Sequence, residues 1–158
     1  MTERSVTHAT FRIERTYEAA TPEQVFFAFA DKASKRRWFV EGEGWQIDSF
    51  EMDFRVGGIE RSSFRFQGGP QVSNETVYHD IVENQRLVCA YSMTVGEDRI
   101  SVSLGTIEIS ATEGGTKLVY TEQGAYLDGH DNVAQREAGC RELYEALAVE
   151  LQRNRNAA

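Results

Sequence analysis

Cysteine and proline are scarce in this chain of 158 residues, with two of each. The cysteines, Cys89 and Cys140, lie far apart and show neither metal-ligand spacing nor a disulfide framework. They read as free thiols buried in a reducing compartment. No apolar run approaches the roughly 20 residues of a membrane span, and the opening segment MTERSVTHATFRIER has no apolar stretch to serve as a signal peptide. The expected location is therefore the cytoplasm. Positive charge is also short: 17 Lys and Arg stand against 25 Asp and Glu, for a net charge of −8. The densest basic group, Lys32, Lys35, Arg36 and Arg37, falls on a predicted helix and reads as its solvated face. A nucleic-acid partner is excluded on this balance, because phosphate backbones demand a basic footprint. No glycine loop resembles a phosphate cradle and no serine sits in a nucleophile elbow. His8, His79 and His130 have no metal-triad spacing with the acids. No cofactor is indicated.

Apolar and aromatic residues are plentiful: 41% of the chain is hydrophobic, with nine Phe, six Tyr and two Trp. A single domain over 1–158, with an ordered core of about 8–153, can bury roughly 70% of the surface its unfolded chain exposes. Period-two alternation marks the first strand at 10–17, where Phe11, Ile13 and Tyr17 share a face with Arg15, expected to form an ion pair at the strand end. Thr21-Pro-Glu-Gln24 carries the cap, the first-turn proline and the back-bonding Gln of a helix start. A second short helix over 32–37 delivers Trp38 and Phe39. Strands follow at 45–54, 59–66, 74–83, 86–95, 99–112 and 116–123, separated by turn residues. The pattern Ile100, Val102, Leu104 changes phase to Ile107, Ile109, Ala111, which predicts a bulge at Gly105.

Short turns between strands imply an antiparallel meander, and its apolar face needs a cover. The cover is the segment 131–153, where Val133, Cys140, Leu143, Tyr144, Leu147 and Leu151 recur at three- and four-residue spacing. The last residues, 154–158, are expected to fray. The fold class is α+β: a curved antiparallel sheet of about seven strands wrapped around a long C-terminal helix, with two short helices after the first strand.

This order resembles the helix-grip fold of the SRPBCC superfamily, also called START-like or Bet v-like. Thr21-Pro-Glu-Gln-Val25, Trp38 at the end of the second short helix, Asp53-Phe-Arg-Val-Gly-Gly58, Asp80-Ile-Val-Glu-Asn-Gln-Arg-Leu87, Ser103-Leu-Gly-Thr-Ile-Glu-Ile109 and Gly115-Thr-Lys-Leu118 carry the likeness. In this sequence of motifs the chain is similar to the branch typified by the C-terminal domain of the heat-shock ATPase activator homologues. The resemblance implies a pocket for a hydrophobic small molecule, with an aromatic, polyketide-like or lipid-like ligand. It departs from the family at Gly139-Cys140, where the pattern has Gly-Trp, so the pocket is expected to be larger at that point or differently filled.

The expected pocket residues are Trp38, Trp45, His79, Tyr91, Glu122, Tyr126, Arg136, Cys140 and Tyr144. Arg136 falls on the inward arc of the long helix and requires a partner. It snorkels out to water, pairs with a carboxylate such as Glu122, which shares a face with Leu118 and Tyr120, or holds an anionic or carbonyl-bearing ligand. His79 shares a face with Val77 and Ile81. Two other readings stand beside binding. One is an enzyme of cyclase, dehydratase or hydrolase type using Glu122, His79 or Arg136. The other is a co-chaperone-like module with a protein partner, or a homodimer.

Overall fold

The computed structural model describes residues 3–157; Met1, Thr2 and Ala158 lie outside the described residues. The chain runs β1 (Val6–Glu18), α1 (Pro22–Ala30), α2 (Lys32–Phe39), β2 (Trp45–Met52), β3 (Ile59–Phe66), β4 (Val72–Val82), β5 (Arg86–Val95), β6 (Asp98–Thr112), β7 (Gly115–Leu127) and α3 (Val133–Ala157). The strands form one seven-stranded sheet in the order β1-β7-β6-β5-β4-β3-β2. Every neighbouring pair is antiparallel. The two short helices lead the chain from one edge strand to the other, and α3 packs against β1, α1 and α2. This is a helix-grip fold.

Local chemistry explains the joints. Thr21 and Gln24 form the expected capping box at α1, with Pro22 in the first turn. Asp31 ends α1 and caps α2, its carboxylate accepting from the Ser34 N–H at 3.0 Å. Asn132 opens α3 by accepting from the Gln135 N–H at 2.9 Å. Between β2 and β3 the chain turns through Gly57 at φ 83°, a left-handed conformation suited to glycine. A Cβ on the neighbouring Gly58 would lie 2.0 Å from the Asp53 carbonyl oxygen.

The apolar core fills the end of the fold where α1, β1, β7 and the C-terminal half of α3 meet, and includes Ile13, Val25, Phe29, Leu118, Leu147 and Leu151. Trp38 joins it edge-on to Phe29, with ring centroids 5.0 Å apart, and donates its indole N–H to the Ala28 carbonyl at 2.8 Å.

Several expectations are corrected. Gly105 carries no bulge: it pairs in register with Cys89 and with Glu122. The slip falls earlier, between Met93 and Thr94 of β5, and leaves Ile100 as the extra residue of β6. From there the inward face reads Ser101, Ser103, Gly105, Ile107, Ile109, while Val102 and Leu104 face solvent. The last strand extends four residues past Gln123, because Gly124 to Leu127 continue pairing with β1. The tail does not fray at 154: α3 continues to Ala157, and the Asn154 amide reaches the Ser34 hydroxyl at 3.4 Å. Arg15 does find an ion pair, with Glu145 of α3.

Candidate functional site

A cavity of about 470 Å³ lies between the sheet and the N-terminal half of α3. β5 contributes Leu87, Cys89, Tyr91 and Met93, residues that alternate inward along one strand. Helix α3 contributes Arg136, Cys140, Leu143 and Tyr144, and Phe39 and Trp45 stand where α2 passes into β2. The lining is mostly apolar with a few placed polar groups, as in pockets that take small molecules.

Six of the nine expected residues line this space: Trp38, Trp45, Tyr91, Arg136, Cys140 and Tyr144. Glu122 and Tyr126 lie behind its wall. Glu122 is fully buried, and its carboxylate accepts from the Tyr91 hydroxyl at 2.6 Å and the Tyr120 hydroxyl at 2.5 Å, with the Cys140 thiol at 3.9 Å. Tyr126 lies beneath the Arg136 guanidinium, 5.5 Å from ring centroid to the guanidinium carbon. His79 is a correction. The β4–β5 register shifts between Tyr78 and Asp80, so His79 is the extra residue of a bulge and faces solvent, leaving Tyr78 to point inward.

Arg136 is 7% exposed, and both of its terminal nitrogens are engaged. One terminal nitrogen donates to the Tyr91 hydroxyl at 2.9 Å and approaches Glu122 at 3.4 Å and Ser103 at 3.5 Å. The other donates to Ser101 at 2.6 Å and to Asp131 at 2.8 Å. Burial opposes its charge, but Tyr91, Glu122 and Asp131 more than offset this and hold it protonated. Tyr91 is pushed well above the ordinary tyrosine value, first by burial and then by Glu122, and so keeps its proton. Burial, reinforced by Glu122, pushes the Cys140 thiol up to about 12. At neutral pH it is a neutral thiol, without the lowered pKa of a reactive one.

A second polar cluster escaped the sequence reading. Lys35 donates to Glu60 at 3.1 Å, and the Tyr78 hydroxyl donates to the same carboxylate oxygen. The Lys35 ammonium also lies over the Phe39 ring at 4.4 Å from its centroid. All four residues line the cavity. A signal was available: Lys35 stands one turn before Trp38, on the inward face of α2, and Glu60 shares a strand face with Phe64.

A curved antiparallel sheet holding a long helix across such a space defines an SRPBCC, or START-like, domain. The chain belongs to the family of Activator of Hsp90 ATPase homolog 1-like proteins, whose family model matches residues 19–152. Among solved structures it is similar to protein Mll3558 of Rhizobium loti, at 51% identity over 92% of this chain and 99% of that one, with a TM-score of 0.85. A protein of Rhizobium leguminosarum is similar at 40% identity over 96% and 99% of the two chains, with a TM-score of 0.91. An AHSA1-like protein of Aeromonas hydrophila shares the fold at 17% identity over 92% and 94%, with a TM-score of 0.69. No curated protein matches the chain.

Proposed function

We propose that the protein binds a hydrophobic small molecule, aromatic, polyketide-like or lipid-like in body, between the sheet and α3. The observation that carries this reading is the cavity of about 470 Å³, which the protein's own aromatic side chains leave unfilled. We place this activity in the cytoplasm, where free thiols such as Cys89 and Cys140 persist. Acid–base catalysis has less support: Glu122 lies behind Tyr91, Tyr120 and Cys140, and its alternative partner His79 faces away. A co-chaperone role or homodimer rests on the family's name and on no feature of the cavity.

Native mass spectrometry of gently purified protein, followed by a chemical-shift screen with hydrophobic compounds, tests the proposal. A retained mass, or shifts centred on Tyr91, Cys140 and Tyr144, is expected. The absence of both a retained ligand and any interior shift would falsify it. Cys140→Trp should fill the cavity with an indole, leave the fold intact and weaken binding by about tenfold or more, the loss of a well-filled contact. Unchanged affinity would remove Cys140 from the binding wall.

A further inference from the structure

Resting on the reading of the cavity as a binding site, we infer that its ligand is uncharged, carries hydrogen-bonding groups read by Asn74 and Tyr144, and is selected against carboxylates, sulfonates and phosphates. Three observations converge. The first is the balance of charge. Lys35 and Arg136 are the cations of the lining, against the carboxylates Glu41, Glu60, Asp131 and Glu142. Glu41 and Glu142 are exposed and Glu41 pairs with Arg36, so an anion entering this space loses its water and meets cations whose charge Glu60, Asp131 and, behind the wall, Glu122 already balance.

The second is that both cations are already engaged. Lys35 is held by Glu60 and by the Phe39 face, and both terminal nitrogens of Arg136 are bonded within the protein. A ligand carboxylate approaching the terminal nitrogens of Arg136 would therefore have to displace Tyr91, Ser101 or Asp131. The inner carboxylates are equally committed, Glu60 to Lys35 and Tyr78, Asp131 to Arg136. A cationic ligand finds no free counter-charge there either.

The third is a set of polar groups that are not engaged. Ser62 and Asn74 stand directly opposite each other in the β3–β4 register. The Ser62 hydroxyl, in a residue 3% exposed, and the Asn74 side-chain carbonyl are both buried without a hydrogen-bond partner. Asn74 lines the cavity. Across the space Tyr144, 5% exposed, also lines it, and its hydroxyl makes no hydrogen bond among the described residues. Its backbone carbonyl, by contrast, accepts from Tyr17 at 2.9 Å. Buried polar groups in folded proteins nearly always find partners. A ligand carbonyl accepting from Tyr144, and a ligand hydroxyl or N–H reaching the Asn74 amide once that side chain turns toward the space, supply them without bringing charge.

Two fluorophores with the same arylaminonaphthalene body separate the charge argument from binding itself. N-phenyl-1-naphthylamine is uncharged, and 8-anilinonaphthalene-1-sulfonate carries a sulfonate. The uncharged probe should bind at least about tenfold more tightly, the scale on which an uncompensated buried charge acts, and Cys140→Trp should expel it. Equal or tighter binding of the sulfonate at the same site overturns the inference and leaves the binding proposal standing. If neither probe binds, both fall. Glu60→Gln should free Lys35 and raise sulfonate affinity; Asp131→Asn does the same for Arg136 if the first variant does not fold. No gain in a folded variant counts against the charge argument. For the hydrogen-bonding groups the probe is 6-propionyl-2-(dimethylamino)naphthalene, an uncharged ketone. Tyr144→Phe should weaken it about fivefold, the scale of one neutral hydrogen bond, and shift its emission to the blue. Asn74→Leu should weaken N-phenyl-1-naphthylamine, whose N–H it accepts. Unchanged binding and emission in these variants overturns their assignment.

Discussion

Leu147 and Leu151, in the C-terminal half of α3, are 0% and 2% exposed and sit in the continuous core with Val25 and Phe29. One and two turns before Tyr144, on the same stripe, Cys140 and Arg136 instead border a cavity. The helix is one, but its surroundings divide it. Where α1 and β1 close on it, apolar side chains meet directly. Where β3, β4 and β5 curve away, separation is maintained by hydrogen bonds: Arg136 reaches to Ser101 on β6 and to Tyr91 on β5. Packing stabilises one half, while the other is held at a distance by a polar cluster whose partners are mutually satisfied. A cavity in a protein interior otherwise costs stability. Here that cost coincides with the place where a guest would sit.

This division can be broken from either side. Arg136→Leu should have the largest effect, about 3–5 kcal/mol lost, because it leaves the buried Glu122 and the part-buried Asp131 without their cation. Urea unfolding measures the loss; a change under about 1 kcal/mol would mean the cluster is no brace. Leu147→Ala, in the filled half, should cost about 3 kcal/mol through lost burial and a new cavity, with ligand-probe affinity changed far less than by Cys140→Trp.

A pH effect comes next. Glu150 of α3 accepts from Arg37 at 2.7 Å and from Ser34 at 2.5 Å. Burial opposes its ionisation, but Arg37 and Ser34 outweigh burial and hold its pKa below the ordinary 4.5. The folded value lies under the unfolded one, so this stabilisation is complete well above pH 4.5 and drains away as pH falls through the lowered value. Glu150→Gln should lose about 2 kcal/mol near neutrality, the scale of charged hydrogen bonds, and show a flatter acid limb in urea midpoints against pH. Glu145→Ala should be smallest. It removes the Arg15 pair, whose carboxylate side chain is 70% exposed, and should cost less than about 1 kcal/mol by thermal unfolding.

The sequence made the fold legible because most elements obey one period each. β3 and β5 match their patterns end to end, and the Thr21–Gln24 box marks the start of α1. The site was partly legible for the same reason: helical and strand periodicity together brought Arg136 and Glu122 to one region. It misled where hydrophobicity and direction part company. In β6 the inward residues Ser101 and Ser103 are polar because they receive Arg136, while Val102 and Leu104 lie outside. A rule that points apolar residues inward therefore misplaces the bulge. His79 was misread because one extra residue in β4 reverses every orientation around it. Lys35 was hidden by its neighbours, since Lys32 and Arg36 belong to a solvated face and Lys35 does not.

Gly105 is small for a reason that its place in the ladder does not reveal. A methyl group there would come 2.9 Å from the Tyr120 hydroxyl, and one at Gly124, on the next strand, would come 3.1 Å from both the Ser103 and Tyr126 hydroxyls. The phenols occupy the space that side chains at these two positions would need. The polar cluster is therefore seated by subtraction, and alanine at either position would crowd it without touching a charge. Two strands of ordinary pairing thus keep the hollow's inner wall in shape by what they omit, so these positions shape the hollow without contributing a side chain to it.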